Sequence, residues 1–234
     1  TVSLVALIVL LSLIPALLTK YPPLNTGLQF VKAIGLLTEP AILLAGLVLF
    51  CYVALEASMA GWITTYLTDL GASATQAGTV LSLFWVSVMV SRLMAAILIA
   101  RSAILTNRPH HAMFVTAALT VVSIVCIFMM IVAKSTSVGI AAIIILGFSF
   151  GPNFPNVVGI TLGRCDRSLW GSAFGIVFAM GLLGATIIPA AIGIYSKGKT
   201  IQSSMQIALV TAVALLVFSL GLWRMCAPRP ADRH

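Results

Sequence analysis

Seven stretches of this sequence are apolar for long enough, or nearly so, to cross a hydrocarbon core that takes about 20 residues of helix. They are Val2–Leu18, Pro40–Leu67, Gln76–Ala100, His110–Ala133, Ser137–Gly163, Leu169–Tyr195 and Met205–Met225. Their length, and the absence of strict alternation, predicts helices rather than barrel strands. Charged residues make up 8% of the chain and mean hydropathy is +1.15, whereas a soluble domain carries about a quarter charged residues. The expected class is an all-α polytopic protein solvated by the lipid bilayer.

The one long connector covers residues 19–39, with Tyr21-Pro22-Pro23 and the turn-prone Asn25-Thr26-Gly27. It separates the first run, residues 1–18, from six runs in 40–226 that are joined by short connectors, and a tail follows at 227–234. Short connectors make consecutive spans antiparallel. Lys20, Lys32, Arg101, Arg108, Arg164, Arg167, Arg224, Arg229 and Arg233 then fall on one side, with Lys134, Lys197 and Lys199 on the other. That imbalance places the linker and the C-terminus in the cytoplasm. The net charge of +8 is spread singly over connectors, with no basic stripe among exposed aromatics, so nucleic acid is not an expected partner. The first run is short, as a truncated helix would be, and no signal-peptide pattern precedes it. The expectation is a portion of a longer protein.

Of the acidic residues, Glu56 alone lies inside an apolar run, and Arg92 is its counterpart within Gln76–Ala100. Ionisable groups at bilayer depth are costly and usually mark a pathway or a binding site. At helical rise Glu56 lies about 20 Å in from Asp69, and Arg92 about 24 Å in from Gln76. A Glu56–Arg92 contact is therefore within reach on neighbouring antiparallel spans. Either it binds substrate or it locks two helices. Tyr52 shares a face with Glu56, Trp62 falls on an adjacent face, and Trp85, Met89 and Arg92 form one stripe. Aromatic faces beside hydrogen-bonding charges suit a sugar or similar polyol; filling helix contacts is the alternative for each ring.

In the fifth run, Gly147-Phe148-Ser149-Phe150-Gly151-Pro152-Asn153-Phe154-Pro155-Asn156 places two prolines three residues apart. Pro152 and Pro155 remove amide donors, so the helix should kink or open there. Asn153 sits about 24 Å from the outer end, level with Arg92. Asn153 and Asn156 are candidate binding groups and the prolines a candidate gate; glycine packing is the alternative for Gly147, Gly151 and Gly159. Gly171-x-x-x-Gly175 in the sixth run is a packing signal, and Asp166 is placed to cap that span.

Cys51, Cys126, Cys165 and Cys226 show no CxxC spacing and imply no disulfide framework. No histidine lies mid-span, which removes support for a metal site or a Ser–His hydrolase. No GxxxxGK[ST] loop exists for ATP. No cofactor, metal or enzymatic activity is expected.

The segment Tyr52-Val53-Ala54-Leu55-Glu56-Ala57-Ser58-Met59-Ala60-Gly61-Trp62, with Tyr66 following, resembles the seventh span of the fucose-permease-type proton-coupled sugar carriers of the major facilitator superfamily. Ser82-Leu83-Phe84-Trp85 with Ser91-Arg92 is similar to their eighth span, and Gly151-Pro152-Asn153-Phe154-Pro155 to their tenth. The superfamily's cytoplasmic G-x-x-x-D-R motif has only an echo at Ala96–Arg101, with alanine at the glycine and aspartate places. The resemblance implies spans six to twelve of a twelve-span carrier. Those are the last helix of an N-terminal half, an inter-half linker, and a six-helix C-terminal bundle of two inverted three-helix repeats. It implies a secondary transporter in the plasma (inner) membrane that moves a small polar solute, a sugar, by alternating access, in partnership with the N-terminal half. In that family the carboxylates tied to proton coupling lie in the other half, which leaves open whether Glu56 moves protons. The alternatives are a drug or lipid carrier of the same fold, or a non-transporting seven-span receptor or structural subunit. Cysteines introduced at Thr106 and Gly198 are expected to label from opposite sides of intact cells; labelling of both from outside would overturn the span assignment.

Overall fold

The computed structural model describes residues 10–11, 14–15, 34–101 and 109–226, with the backbone alone at 99–101 and 109–110. Most of the first run and of the 19–39 linker, the connector 102–108 and the tail from 227 lie outside the described residues. Among the described residues from 40 to 226, seven α-helices follow one another: α1 (Pro40–Asp69), α2 (Ala74–Arg101), α3 (Pro109–Val132), α4 (Thr136–Phe150), α5 (Asn153–Gly163), α6 (Trp170–Tyr195) and α7 (Ile201–Cys226). α4 and α5 lie within a single span, so the described residues hold six helices long and apolar enough to cross a membrane. No strand is present among them.

The connections are tight because local chemistry ends each helix abruptly. α1 starts with Pro40 at its first turn, where a missing amide costs nothing. It stops at Gly71, whose φ of +87° is open mainly to glycine. Gly71 N then donates to the Thr68 carbonyl and Ala72 N to that of Leu67, which satisfies the last turn and reverses the chain. Ser135 caps α4 by accepting from Val138 N at 3.4 Å. Asp166 does not cap the sixth span as expected. Its side chain makes no capping bond, because a short 3-10 turn, Arg167–Leu169, intervenes and is closed by the backbone bond from Leu169 N to the Asp166 carbonyl. Next to it, burial raises the Cys165 thiol above its ordinary range, with Glu39 and Asp166 adding to the effect.

Side-chain bonds to backbone ends show that consecutive spans alternate in direction. Tyr66 donates to the Met130 carbonyl, Thr136 to that of Leu70, and Gln202 to those of Met130 and Ala133, while Asp69 accepts from Ile201 N. These residues share one end of the bundle. At the other end Arg164 donates to the Met225 carbonyl at 2.8 Å. The group α1–α3 therefore enters from the end opposite to the group α4–α7, the inverted arrangement expected of the two repeats.

α1 is the central helix, 61% buried over its apolar window, whereas α2 and α6 are only 22% buried. Glycine lets the backbones close on it. A Cβ at Gly184 would collide with the Phe50 carbonyl, and one at Gly181 would lie 3.2 Å from Val53. Gly147 and Gly151 of the span formed by α4 and α5 (Thr136–Gly163, the fifth run of the sequence and here span five) close on α2, against the Phe84 carbonyl and the Arg92 amide. Gly171 and Gly175, read from the sequence as the packing pair, meet nothing within 4 Å, as does Gly159. Neither the spacing nor the face was right: Gly181 and Gly184, three residues apart and nearer mid-span, carry the contact. Gly184→Ala is expected to lower thermal stability of the full-length protein, since overpacking costs about 1–3 kcal/mol. Gly175→Ala should leave it unchanged or raised through helix propensity; matching losses in calorimetry would refute this assignment.

Candidate functional site

Glu56 stands near the middle of α1, and one turn earlier Tyr52 is fully buried. The four-residue spacing puts both on one face, and the Tyr52 hydroxyl donates to Glu56 Oε1 at 3.0 Å. Arg92 arrives from α2. Its Nη2 lies 3.5 Å from Glu56 Oε1 and donates to the Tyr52 hydroxyl oxygen at 3.2 Å. Its Nε donates to the Gly151 carbonyl of span five, also at 3.2 Å. Three spans thus converge on one guanidinium. The Glu56 and Arg92 side chains keep 17% and 43% of their surface open. The pair is sheltered on the carboxylate side and accessible on the arginine side.

Rings hold the tyrosine from behind. Tyr52 meets Phe150 edge-on at 5.8 Å, Phe150 meets Phe84 at 6.1 Å, and Phe84 meets Trp85 at 5.5 Å. Such T-shaped contacts each contribute beyond their buried area. Trp85, Val88, Met89, Arg92 and Leu93 line a recess of about 170 Å³. Arg92 keeps 43% of its side-chain surface open beside this recess, and Nη1 bonds to none of the described residues. Its charge is already offset by Glu56, and the recess therefore offers hydrogen bonding with little net charge.

Tyr52, Glu56, Trp85 and Arg92 are brought together as the sequence spacing implied. Trp62 stands apart: its indole nitrogen donates to the Pro189 carbonyl at 3.1 Å and its ring covers Gly193 of α6. Asn153 is fully buried, with Nδ2 on the Ser149 carbonyl at 3.4 Å and Oδ1 without a hydrogen-bond partner. Asn156 Nδ2 donates to Thr116 Oγ1 at 3.0 Å and to the Ala112 carbonyl at 3.1 Å, joining α5 to α3.

Sequence reading missed two features. One is the Gly151 carbonyl as an arginine acceptor, signalled only by the proline four residues later. The other is a buried polar seam of Thr116, Thr120 and Ser123 on α3, where Ser123 Oγ meets Ser149 Oγ at 2.7 Å. Their i, i+4, i+7 spacing carried the signal, but hydroxyls that bond their own helix are silent in hydropathy.

The Major Facilitator Superfamily profile matches residues 1–189. This chain belongs to that superfamily. A crystal structure of a variant of the E. coli fucose:proton symporter FucP superposes with a TM-score of 0.74 at 22% identity, covering 97% of this chain and 54% of that one. FucP in the outward conformation gives 0.76 at 21% identity over the same shares. These likenesses establish the fold. "Bypass of stop codon protein 6" of Saccharomyces cerevisiae is 27% identical over 191 residues, 79% of this chain and 37% of the yeast protein. The chain spans about half the length of FucP and less of the yeast relative.

The superfamily chain holds its ion pair half open, so stranding one member costs less than in a fully buried pair. Glu56→Gln and Arg92→Gln should each destabilise the full-length protein by about 1–3 kcal/mol. The double substitution is expected to lose less than the sum, because it leaves no orphan charge. Strictly additive shifts in unfolding midpoint would show that the two side chains do not interact.

Proposed function

We propose that this chain forms the C-terminal half of a secondary transporter that moves a small, neutral polar solute, a sugar, by alternating access. One observation carries the reading. An arginine offset in charge by Glu56 and hydrogen-bonded to Tyr52 lines a recess beside Trp85 with 43% of its side-chain surface open. A hydroxyl oxygen accepts from that guanidinium while the apolar face of a sugar ring rests on the indole. An anionic solute gains less, since its charge meets a pair and not a free cation.

In this reading residues 1–18 end the N-terminal half, 19–39 link the halves in the cytoplasm, 40–226 form the C-terminal half, and the tail at 227–234 is cytoplasmic. The membrane is the plasma (inner) membrane, and the N-terminal half completes the site. Tyr52 supports the wall around the pair, whereas Trp62 ties α1 to α6 through the Pro189 carbonyl. The span-five break at Pro152 and Pro155 serves as the gate, and Asn153 and Asn156 bind or release partners as it moves. The unmet Asn153 Oδ1 supports this, since an unsatisfied buried acceptor is costly unless another state satisfies it.

Proton coupling rests on Glu56, a carboxylate whose loss of charge would release Arg92 to the solute. A second reading has its own observation: another recess, about 220 Å³, is lined chiefly by Met94, Leu98, Val115, Leu119 and Phe148. It favours an apolar cargo.

Uptake by the full-length protein in proteoliposomes separates these readings. Neutral monosaccharides should enter saturably, and Arg92→Gln and Trp85→Ala should each cut uptake by about tenfold, the loss of one to two interactions of about 1 kcal/mol. An imposed proton gradient should accelerate the wild type and not Glu56→Gln. Uptake of apolar compounds with none of sugars would establish the second reading and overturn the first.

A further inference from the structure

In an unbroken helix the amide of each residue occupies the carbonyl four positions back. Pro155 has no amide, so the Gly151 carbonyl is left for an outside donor. Arg92 Nε fills it at 3.2 Å. The ladder resumes at the next residue, where Asn156 N donates to the Pro152 carbonyl at 3.1 Å. Gly151 (φ −49°, ψ −55°) and Pro152 (φ −75°, ψ −17°) keep helical dihedrals. The break is thus a loss of hydrogen bonds and not an unwound loop. Access comes from Gly151 itself: a Cβ there would lie 2.6 Å from the Arg92 amide and 2.7 Å from Ser91.

We propose that Pro155 is a positioning residue for Arg92, withholding the one amide that would otherwise take the carbonyl on which the guanidinium is aligned. The guanidinium is a rigid planar fork. Once Nε is fixed on Gly151, Nη2 is directed at Tyr52 and Glu56, and Nη1 is left for the recess. The span-five break and the charge pair then form one device: a shift of the Gly151 carbonyl turns the guanidinium away from Glu56, and release of Arg92 leaves the carbonyl seeking another donor. Pro152 provides a contrast within the same helix. The carbonyl it frees is that of Phe148, and Arg92 bonds only to Gly151, Tyr52 and Glu56 among the described residues.

The link to uptake rests on the transport reading, so the test reads stability first. Unfolding midpoints of the purified full-length protein are compared for Pro155→Ala in the wild type and in a Glu56→Gln/Arg92→Gln background. Without Arg92, the new amide closes on the Gly151 carbonyl and the midpoint rises by about 2 °C or more. With Arg92 present, the same amide evicts Nε, and the midpoint stays level or falls. Pro152→Ala is expected to shift both backgrounds equally. Equal shifts for Pro155→Ala in both, or an equally background-dependent shift for Pro152→Ala, would overturn the proposal. Failure of Pro155→Ala to insert only when Arg92 is present would support it, and failure in both backgrounds would overturn it. Uptake then adds a second readout: Pro155→Ala should raise KM several-fold in the wild type. Absence of uptake by every variant, wild type included, would defeat the transport reading, while the stability comparison still decides the role of Pro155.

Discussion

The arrangement depends on one guanidinium that three spans share. Arg92 leaves α2, meets the Glu56 carboxylate and Tyr52 hydroxyl of α1, and ends its Nε on a carbonyl of span five. Desolvating a lone arginine at this depth is expensive. Every structural oddity nearby lessens that cost. The tyrosine one turn from the glutamate supplies a second acceptor. Pro155 frees a third, the Gly151 carbonyl. The glycine at 151 lets the helices approach closely enough for the third to be reached.

Close approach is purchased nowhere by large apolar faces. Hydrophobic surface drives little helix association in lipid, where tails are as apolar as leucine, and small residues and polar bonds carry the contact. Gly184 against the Phe50 backbone and Gly147 against the Phe84 carbonyl are of this kind. So is the seam in which Ser123, Ser149, Asn156 and Thr116 bond between α3 and span five. The large apolar side chains left open on α2 and α6 are, on this physics, surfaces for lipid or for further helices.

Much of the fold was legible because membranes simplify the code. Twenty apolar residues mean a span, and an isolated Glu56 or Arg92 stands out against them. Register was legible too: Tyr52 with Glu56, and Trp85 with Arg92, follow from helical spacing alone. Facing was not. Hydropathy is nearly uniform around these helices, so it could not tell that Trp62 turns to Pro189 and Gly193, or that Gly181 and Gly184 outrank Gly171 and Gly175 as contacts. Asp166 failed as a cap for a related reason: the sequence marks a capping residue but not the extra 3-10 turn that displaces it.

The half-open state of the pair follows from the same geometry. The carboxylate is the more sheltered member because it only accepts, and Tyr52 and Arg92 both direct donors at its Oε1. A guanidinium carries five donors, and with two nitrogens committed to carbonyl, hydroxyl and carboxylate, a third stays unmet unless the surface around it is open. Burying Arg92 completely would strand Nη1 in an apolar wall of Val88, Met89 and Leu93, at the cost of an unsatisfied charged donor. Leaving it accessible at the edge of the recess avoids that penalty, and it also presents a fixed, charge-compensated donor to anything that enters.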